Sequence, residues 1–150
     1  MSGEKAIDSL IKKLAAASAF AVDSETDNLH GPIIGLSFAI KEGEAYYLPI
    51  PQPPKERAAL LAKLQPVLAN PKIAKYGHNI KYDYLALQRE GIKLYPLSFD
   101  TMIASHMLNP NSRQHSLDAV AFSELGIEKI AISQPIGIKK TDSLISVDPA

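Results

Sequence analysis

The run Phe20-Ala21-Val22-Asp23-Ser24-Glu25-Thr26-Asp27 constrains this chain more than any other stretch. Residues 19–26 read as a strand, in which successive side chains point to opposite faces. Phe20, Val22 and Ser24 fall on one face, and Ala19, Ala21, Asp23 and Glu25 on the other. The apolar residues ahead of the acids predict a central strand. Two like charges side by side there repel each other and resist leaving water. Either the strand ends at this point and the acids are solvated, or a divalent cation offsets both. Hard oxygen ligands of this kind suit Mg²⁺ or Mn²⁺.

The rest of the pattern supplies a sheet and helices around that strand. Residues 6–17 predict an amphipathic helix, with Ile7, Leu10, Ile11 and Leu14 at helical spacing. His30-Gly31-Pro32 is turn chemistry. Residues 33–40 and 44–50 predict two strands joined by a turn at Lys41-Glu42-Gly43. The proline-rich stretch 49–54 must be extended and cannot join a sheet interior. Residues 55–69 predict a helix that Pro66 kinks or shortens by its last turn. A short strand at 73–76, a helix at 79–90 stopped by Gly91, and a short strand at 96–99 follow. Helices at 100–108 and 116–125 are predicted to start on Asp100 and Ser116 as N-caps. Residues 127–150 read as loop plus a short helix. A hairpin first, then strands alternating with helices, predicts an α/β fold: a mixed β-sheet with an antiparallel hairpin at the N-terminal end, flanked by helices.

Asp83 is the second constraint. On the helix starting near Asn79, Ile80, Tyr84 and Leu87 form the apolar stripe, and Asp83 lies on that same inward face. A carboxylate facing a core needs a cation, a hydrogen-bonding cluster or a metal. Lys81 and Arg89 point elsewhere on the helix. Carboxylates from a strand and a helix can converge on a metal pair that activates water and steadies a leaving oxygen in phosphodiester hydrolysis.

Composition narrows the remaining classes. At 150 residues, with 46% hydrophobic and 21% charged, the chain suits one domain with a real core. Sixteen basic residues balance sixteen acidic ones, which argues against a protein that coats nucleic acid but not against a nuclease with a local site. There is no cysteine, so disulfides, zinc–thiolate sites and cysteine nucleophiles are excluded. A thiol-free chain fits a reducing compartment, and a cytoplasmic location is expected. No apolar run reaches the length of a membrane span. Ser18 and Ser24 lack a His–Asp pattern, and there is no Gly-rich phosphate loop.

Five landmarks in order resemble the 3′–5′ exonuclease domain of family A DNA polymerases, within the ribonuclease H-like group of proofreading exonucleases. They are Asp23-Ser24-Glu25-Thr26-Asp27-Asn28-Leu29, Gly35-Leu36-Ser37-Phe38-Ala39-Ile40, His78-Asn79-Ile80-Lys81-Tyr82-Asp83, Phe99-Asp100-Thr101-Met102 and His115-Ser116-Leu117-Asp118. The resemblance covers roughly residues 5–140. It implies a ribonuclease H-like sheet and a metal-dependent exonuclease using Mg²⁺ or Mn²⁺ in a two-metal site. Asp23 and Glu25 would ligate the metal that activates water, and Asp83 would serve the second. Leu29 would wedge against the terminal base of a frayed 3′ end, and Asn79 and Tyr82 would contact the terminal nucleotides. The implied partners are a single-stranded DNA 3′ end and a polymerase domain of the same parent chain. The family's third motif, a Tyr followed four residues later by an Asp, has no match. No Tyr here has an Asp at that spacing, and neither Asp142 nor Asp148 fits. The single domain at residues 1–150 is therefore expected to be incomplete at its C-terminus. Two other readings are a catalytically silent scaffold packing against a polymerase domain and an RNA-trimming relative.

The remaining polar residues have plainer readings. His78 and His106 are expected to be structural, and His115 a capping-region or surface residue. Lys139-Lys140 reads as a solvated pair. Asp27 is solvated or part of the turn, and Asp100 and Asp118 belong to helix starts and surfaces. Of Tyr46 and Tyr47, one packs inward and one outward.

Overall fold

A computed structural model describes residues 3–128. The predicted loop and short helix of the tail, Lys139-Lys140, Asp142 and Asp148 lie outside those residues, apart from the first two positions of the tail. The described elements are α1 (Gly3–Ala16), β1 (Ala19–Thr26), β2 (Ile33–Lys41), β3 (Glu44–Pro49), α2 (Pro54–Leu68), β4 (Ala74–Gly77), α3 (Ile80–Arg89), β5 (Leu97–Asp100), α4 (Thr101–Leu108) and α5 (Leu117–Leu125). The five strands form one sheet in the order β3-β2-β1-β4-β5. β1 is central, as its composition requires. It pairs antiparallel with β2 and parallel with β4. β2 pairs antiparallel with β3, and β4 parallel with β5. The mixed sheet flanked by helices is the expected fold class.

Local chemistry accounts for the joints. The β2–β3 hairpin closes through Glu42-Gly43, with Gly43 at φ 74°, a conformation a side chain would resist. Pro54 opens α2, where its missing N–H removes no helical bond. Pro66 does not split off the last turn: the helix runs on to Leu68, and the Ala69 amide bonds to the Gln65 carbonyl. An interior proline costs about 3 kcal/mol. Val67 and Leu68 are buried just beyond it, each stabilising by about 1.5–3 kcal/mol, enough to offset that cost.

The core lies on one face of the sheet. Leu10 and Leu14 of α1, Leu61, Leu64 and Leu68 of α2, and Ile80 and Leu87 of α3 join Phe20 and Val22 of β1 in one cluster. Two polar devices lie within it. Arg57 donates to the Ile33 carbonyl at 2.7 Å and pairs with Glu90 at 2.9 Å, while Glu90 accepts from the Ile33 amide. This bracket fixes the first residue of β2 and hence the end of the loop carrying Leu29. Lys75 is fully buried and donates to the carbonyls of Asn70, Ile73 and Tyr95, and burial lowers its pKa to about 8. The other face of β1 carries Ala21, Asp23 and Glu25. Beside it stand Tyr76 and Phe99, an edge-to-face pair 6.3 Å apart.

Among the described residues, no helix is long and apolar enough to cross a membrane.

Candidate active site

The sheet itself makes a crevice beside β1. β1 and β4 lie side by side and parallel, but the chain leaves them in opposite directions. From β1 it turns to β2, and from β4 it passes through α3 to β5. Connections that diverge from two adjacent parallel strands leave an opening at their carboxyl ends. Asp23 and Glu25 stand at that end of β1. His78 and Asn79 follow β4 directly.

Asp100 aims α3 at this opening. Asn79 has left-handed backbone (φ 61°) and its own side chain caps nothing. The Asp100 carboxylate does so instead, accepting from the amides of Asn79 at 3.0 Å and Ile80 at 2.9 Å. It also caps its own helix through Met102 at 2.8 Å and Ile103 at 3.3 Å. Burial works against its charge, but these four N–H donors outweigh burial and hold the carboxyl below the ordinary range. The expected N-cap of α4 is therefore also the cap of α3. His78 adds a second tie, its Nδ1 lying 2.8 Å from Thr101 Oγ1.

Asp83 then falls one turn into α3, facing inward, as the stripe predicts. It is 2% exposed. Its partner is neither Lys81 nor Arg89. The Ser24 amide and the Ser24 hydroxyl both donate to Asp83 Oδ1, at 2.7 and 2.6 Å. Burial pushes the Asp83 carboxyl up to about 6, the Ser24 hydroxyl opposes that, and the nearby charge of Asp23 adds to it.

Asp23, Glu25, Asn79, Tyr82 and Asp83 line one cleft of about 350 Å³. The Tyr82 hydroxyl meets that of Thr26 across its rim. Leu29 does not line the cleft. It is 67% exposed on the loop after β1. A larger cavity, about 580 Å³, lies between α4 and α5, but its only acid is Glu124, so chemistry rather than size marks the site. Sequence reasoning missed several cleft residues. The signal for Ser24 was present, since a hydroxyl on the buried face of a central strand requires a partner. Met102, Ser116 and Leu117 belong to two of the landmarks, but they reach the cleft by tertiary packing, which no local pattern shows. His115 corrects the surface expectation: it is buried, 2.8 Å from the Ser105 hydroxyl, and stacked on His106. Its ring is enclosed because α4 and α5 pack against each other around it.

The donor chemistry fits a hard divalent cation. Asp23, Glu25 and Asp83 are carboxylates on one cleft, and the repulsion between Asp23 and Asp83 is the kind a cation relieves. Among the described residues, no three His, Cys, Asp or Glu side chains are already gathered to hold one.

Comparison with known proteins agrees with the cleft. The profile of a family described as 3′–5′ exonuclease matches residues 1–147. The chain is 36% identical over 141 residues to DNA polymerase I of Pseudomonas aeruginosa, covering 87% of this chain and 15% of that protein. It is 34% identical over 148 residues to DNA polymerase I of Borreliella burgdorferi, covering 94% of this chain and 16% of that protein. The chain thus spans about one sixth of the length of these relatives. The crystal structure of the catalytic core of RRP6 from Trypanosoma brucei superposes with a TM-score of 0.71 over 97% of this chain and 38% of that one, at 21% identity, a likeness of fold.

Proposed function

The chain belongs to the 3′–5′ exonuclease family, and from that premise we propose that it hydrolyses the 3′-terminal phosphodiester of single-stranded or frayed DNA. The observation that carries this reading is the convergence of Asp23 and Glu25 from β1 with Asp83 from α3 on one cleft. Asp23, Glu25 and Asp83 would hold Mg²⁺ or Mn²⁺, in the two-metal arrangement general to this domain. Bound there, the ions supply activation of water and stabilisation of the leaving oxygen.

This chain's own residues prepare the site. Ser24 holds the Asp83 carboxylate through Oδ1, by its amide and its hydroxyl. Asn79 and Tyr82, at the first turn of α3, would contact the terminal nucleotides. They offer polar and aromatic contacts that do not discriminate between bases. Leu29, apolar and exposed on the loop after β1, would wedge a terminal base pair open. The name DNA polymerase I, shared by these relatives, supports a DNA substrate and a polymerase domain in the same parent chain, and the proposal includes a proofreading role beside that domain in the cytoplasm.

The test is degradation of a 5′-labelled single-stranded oligonucleotide with Mg²⁺ and then Mn²⁺, beside Asp23→Ala. A ladder of shortened products that disappears in the variant is expected. A ladder that persists in the variant, or none from either protein, would refute the reading. With an active enzyme, Leu29→Ala should slow removal of paired ends more than of single strands. Equal slowing on both substrates would remove the wedge role.

A further inference from the structure

Tyr47 lies outside every motif named above, yet its hydroxyl end is built into the same face of the sheet. Across the strands, Glu25 of β1 pairs with Gly35 of β2, and Gly35 pairs with Pro49 of β3. One row over, Asp23 pairs with Ser37 and Ser37 with Tyr47. Alternation puts Asp23, Glu25, Gly35 and Tyr47 on one face.

The Tyr47 ring does not stay in its own row. A β carbon at Gly35 would lie 2.1 Å from the Tyr47 hydroxyl oxygen and 2.5 Å from the ring carbon that carries it. The phenol therefore lies diagonally over bare backbone at position 35, hydroxyl end foremost, in the row of Glu25. Any residue but glycine at 35 would displace it. The ring as a whole is 49% exposed. Burial first, and then the charge of Glu25, raise the pKa of its hydroxyl, so the phenol keeps its proton at neutral pH. A protonated phenol beside a carboxylate is a hydrogen-bond donor, and donation to a charged acceptor is the stronger kind.

We propose that Tyr47 is a positioning residue for Glu25: its hydroxyl, seated on the backbone of Gly35, donates to the Glu25 carboxylate and orients it toward the cleft shared with Asp23 and Asp83. The inference rests on those three acids being cation ligands. Partners that orient a ligating carboxylate are typically worth about tenfold or more in metal affinity. Tyr47→Phe keeps the ring on Gly35 and removes only the donor.

Mn²⁺ binding to the whole chain, measured by titration calorimetry together with the thermal midpoint, tests this. Wild type, Tyr47→Phe, Asp23→Ala and Tyr95→Phe are compared, the last removing a half-exposed phenol elsewhere. Mn²⁺ affinity about tenfold weaker in Tyr47→Phe is expected, with an unchanged thermal midpoint and wild-type affinity in Tyr95→Phe. Wild-type affinity in Tyr47→Phe, alongside loss of binding in Asp23→Ala, would overturn the inference and leave the site intact. An equal loss in Tyr95→Phe would also overturn it. No Mn²⁺ binding by the wild type would overturn the site and the inference together.

Discussion

Ser24 explains how Asp83 can lie in the interior. Two donors from one residue satisfy one carboxylate oxygen, and the alternation of β1 turns the Ser24 hydroxyl to the buried face while Asp23 and Glu25 go to the other. That satisfaction is incomplete, since burial leaves the Asp83 carboxyl at about 6 instead of the ordinary 3.8. The folded protein therefore binds a proton more tightly than the unfolded chain between those two values. Its stability falls as pH rises through that window and stays lower above it. Asp83→Asn keeps an oxygen to accept from Ser24 and removes the titration. Without divalent cations, the variant should melt above the wild type at pH 7, and the difference should close on descending to pH 4. Thermal scans across that range decide it, and parallel profiles for the two proteins would contradict the assignment. Asp83 was legible in the sequence as an inward carboxylate. Its partner was missed because hydrogen bonding between a strand and a helix 59 residues apart leaves no local pattern.

Among the elements, α3 is the part that brings the site together, and Asp100 sets where it starts. Its carboxylate closes the first turn of α3 and of α4 with four amide bonds, so one side chain fixes the angle between two helices. An N-cap is worth about 0.5–2 kcal/mol, and Asp100→Ala removes two, so a loss of about 1–4 kcal/mol is expected. Chemical denaturation would measure it. Asp100→Asn retains an acceptor and should lose less. Because its pKa is held below the ordinary range, the contribution of Asp100 is complete above that range and is lost as pH falls through its folded value. A loss in Asp100→Ala no larger than that of a surface alanine substitution would contradict the double cap. The sequence marked Asp100 as the start of α4 by its position ahead of an apolar run. It could not mark the second role, which arises only when β4 and β5 pair in parallel and bring the two helix starts together. Within the described residues helix and strand identities were legible, with boundaries shifted by at most three residues and those of β1 unshifted. Of the two outcomes expected at Pro66, loss of the last turn does not occur, because the burial of Val67 and Leu68 that carries the helix past it is a tertiary effect.

At the scale of the whole molecule, the central position of β1 connects sequence to chemistry. A strand flanked antiparallel on one side and parallel on the other ends where the chain diverges, and the acids of β1 are at that end. The hairpin-first, then alternating, order of elements was enough to foresee the mixed sheet. The ordered landmarks were enough to foresee the family. What the sequence did not carry was the far wall of the cleft, because α4 and α5 contribute to it through packing alone. With sixteen charges of each sign, the molecule has no net charge to draw in a polyanion, so the proposed affinity for a DNA end would have to come from the cleft and from a cation bound there. That makes cation binding by the β1 acids the decisive property. The measurement is the thermal midpoint of the wild type and of the Asp23→Ala, Glu25→Ala double variant, each with and without Mg²⁺ or Mn²⁺. A rise in the wild type that is lost in the double variant is the predicted result, since a ligand that binds only the folded state stabilises it. The same rise in both proteins would place the cation elsewhere and contradict the assignment.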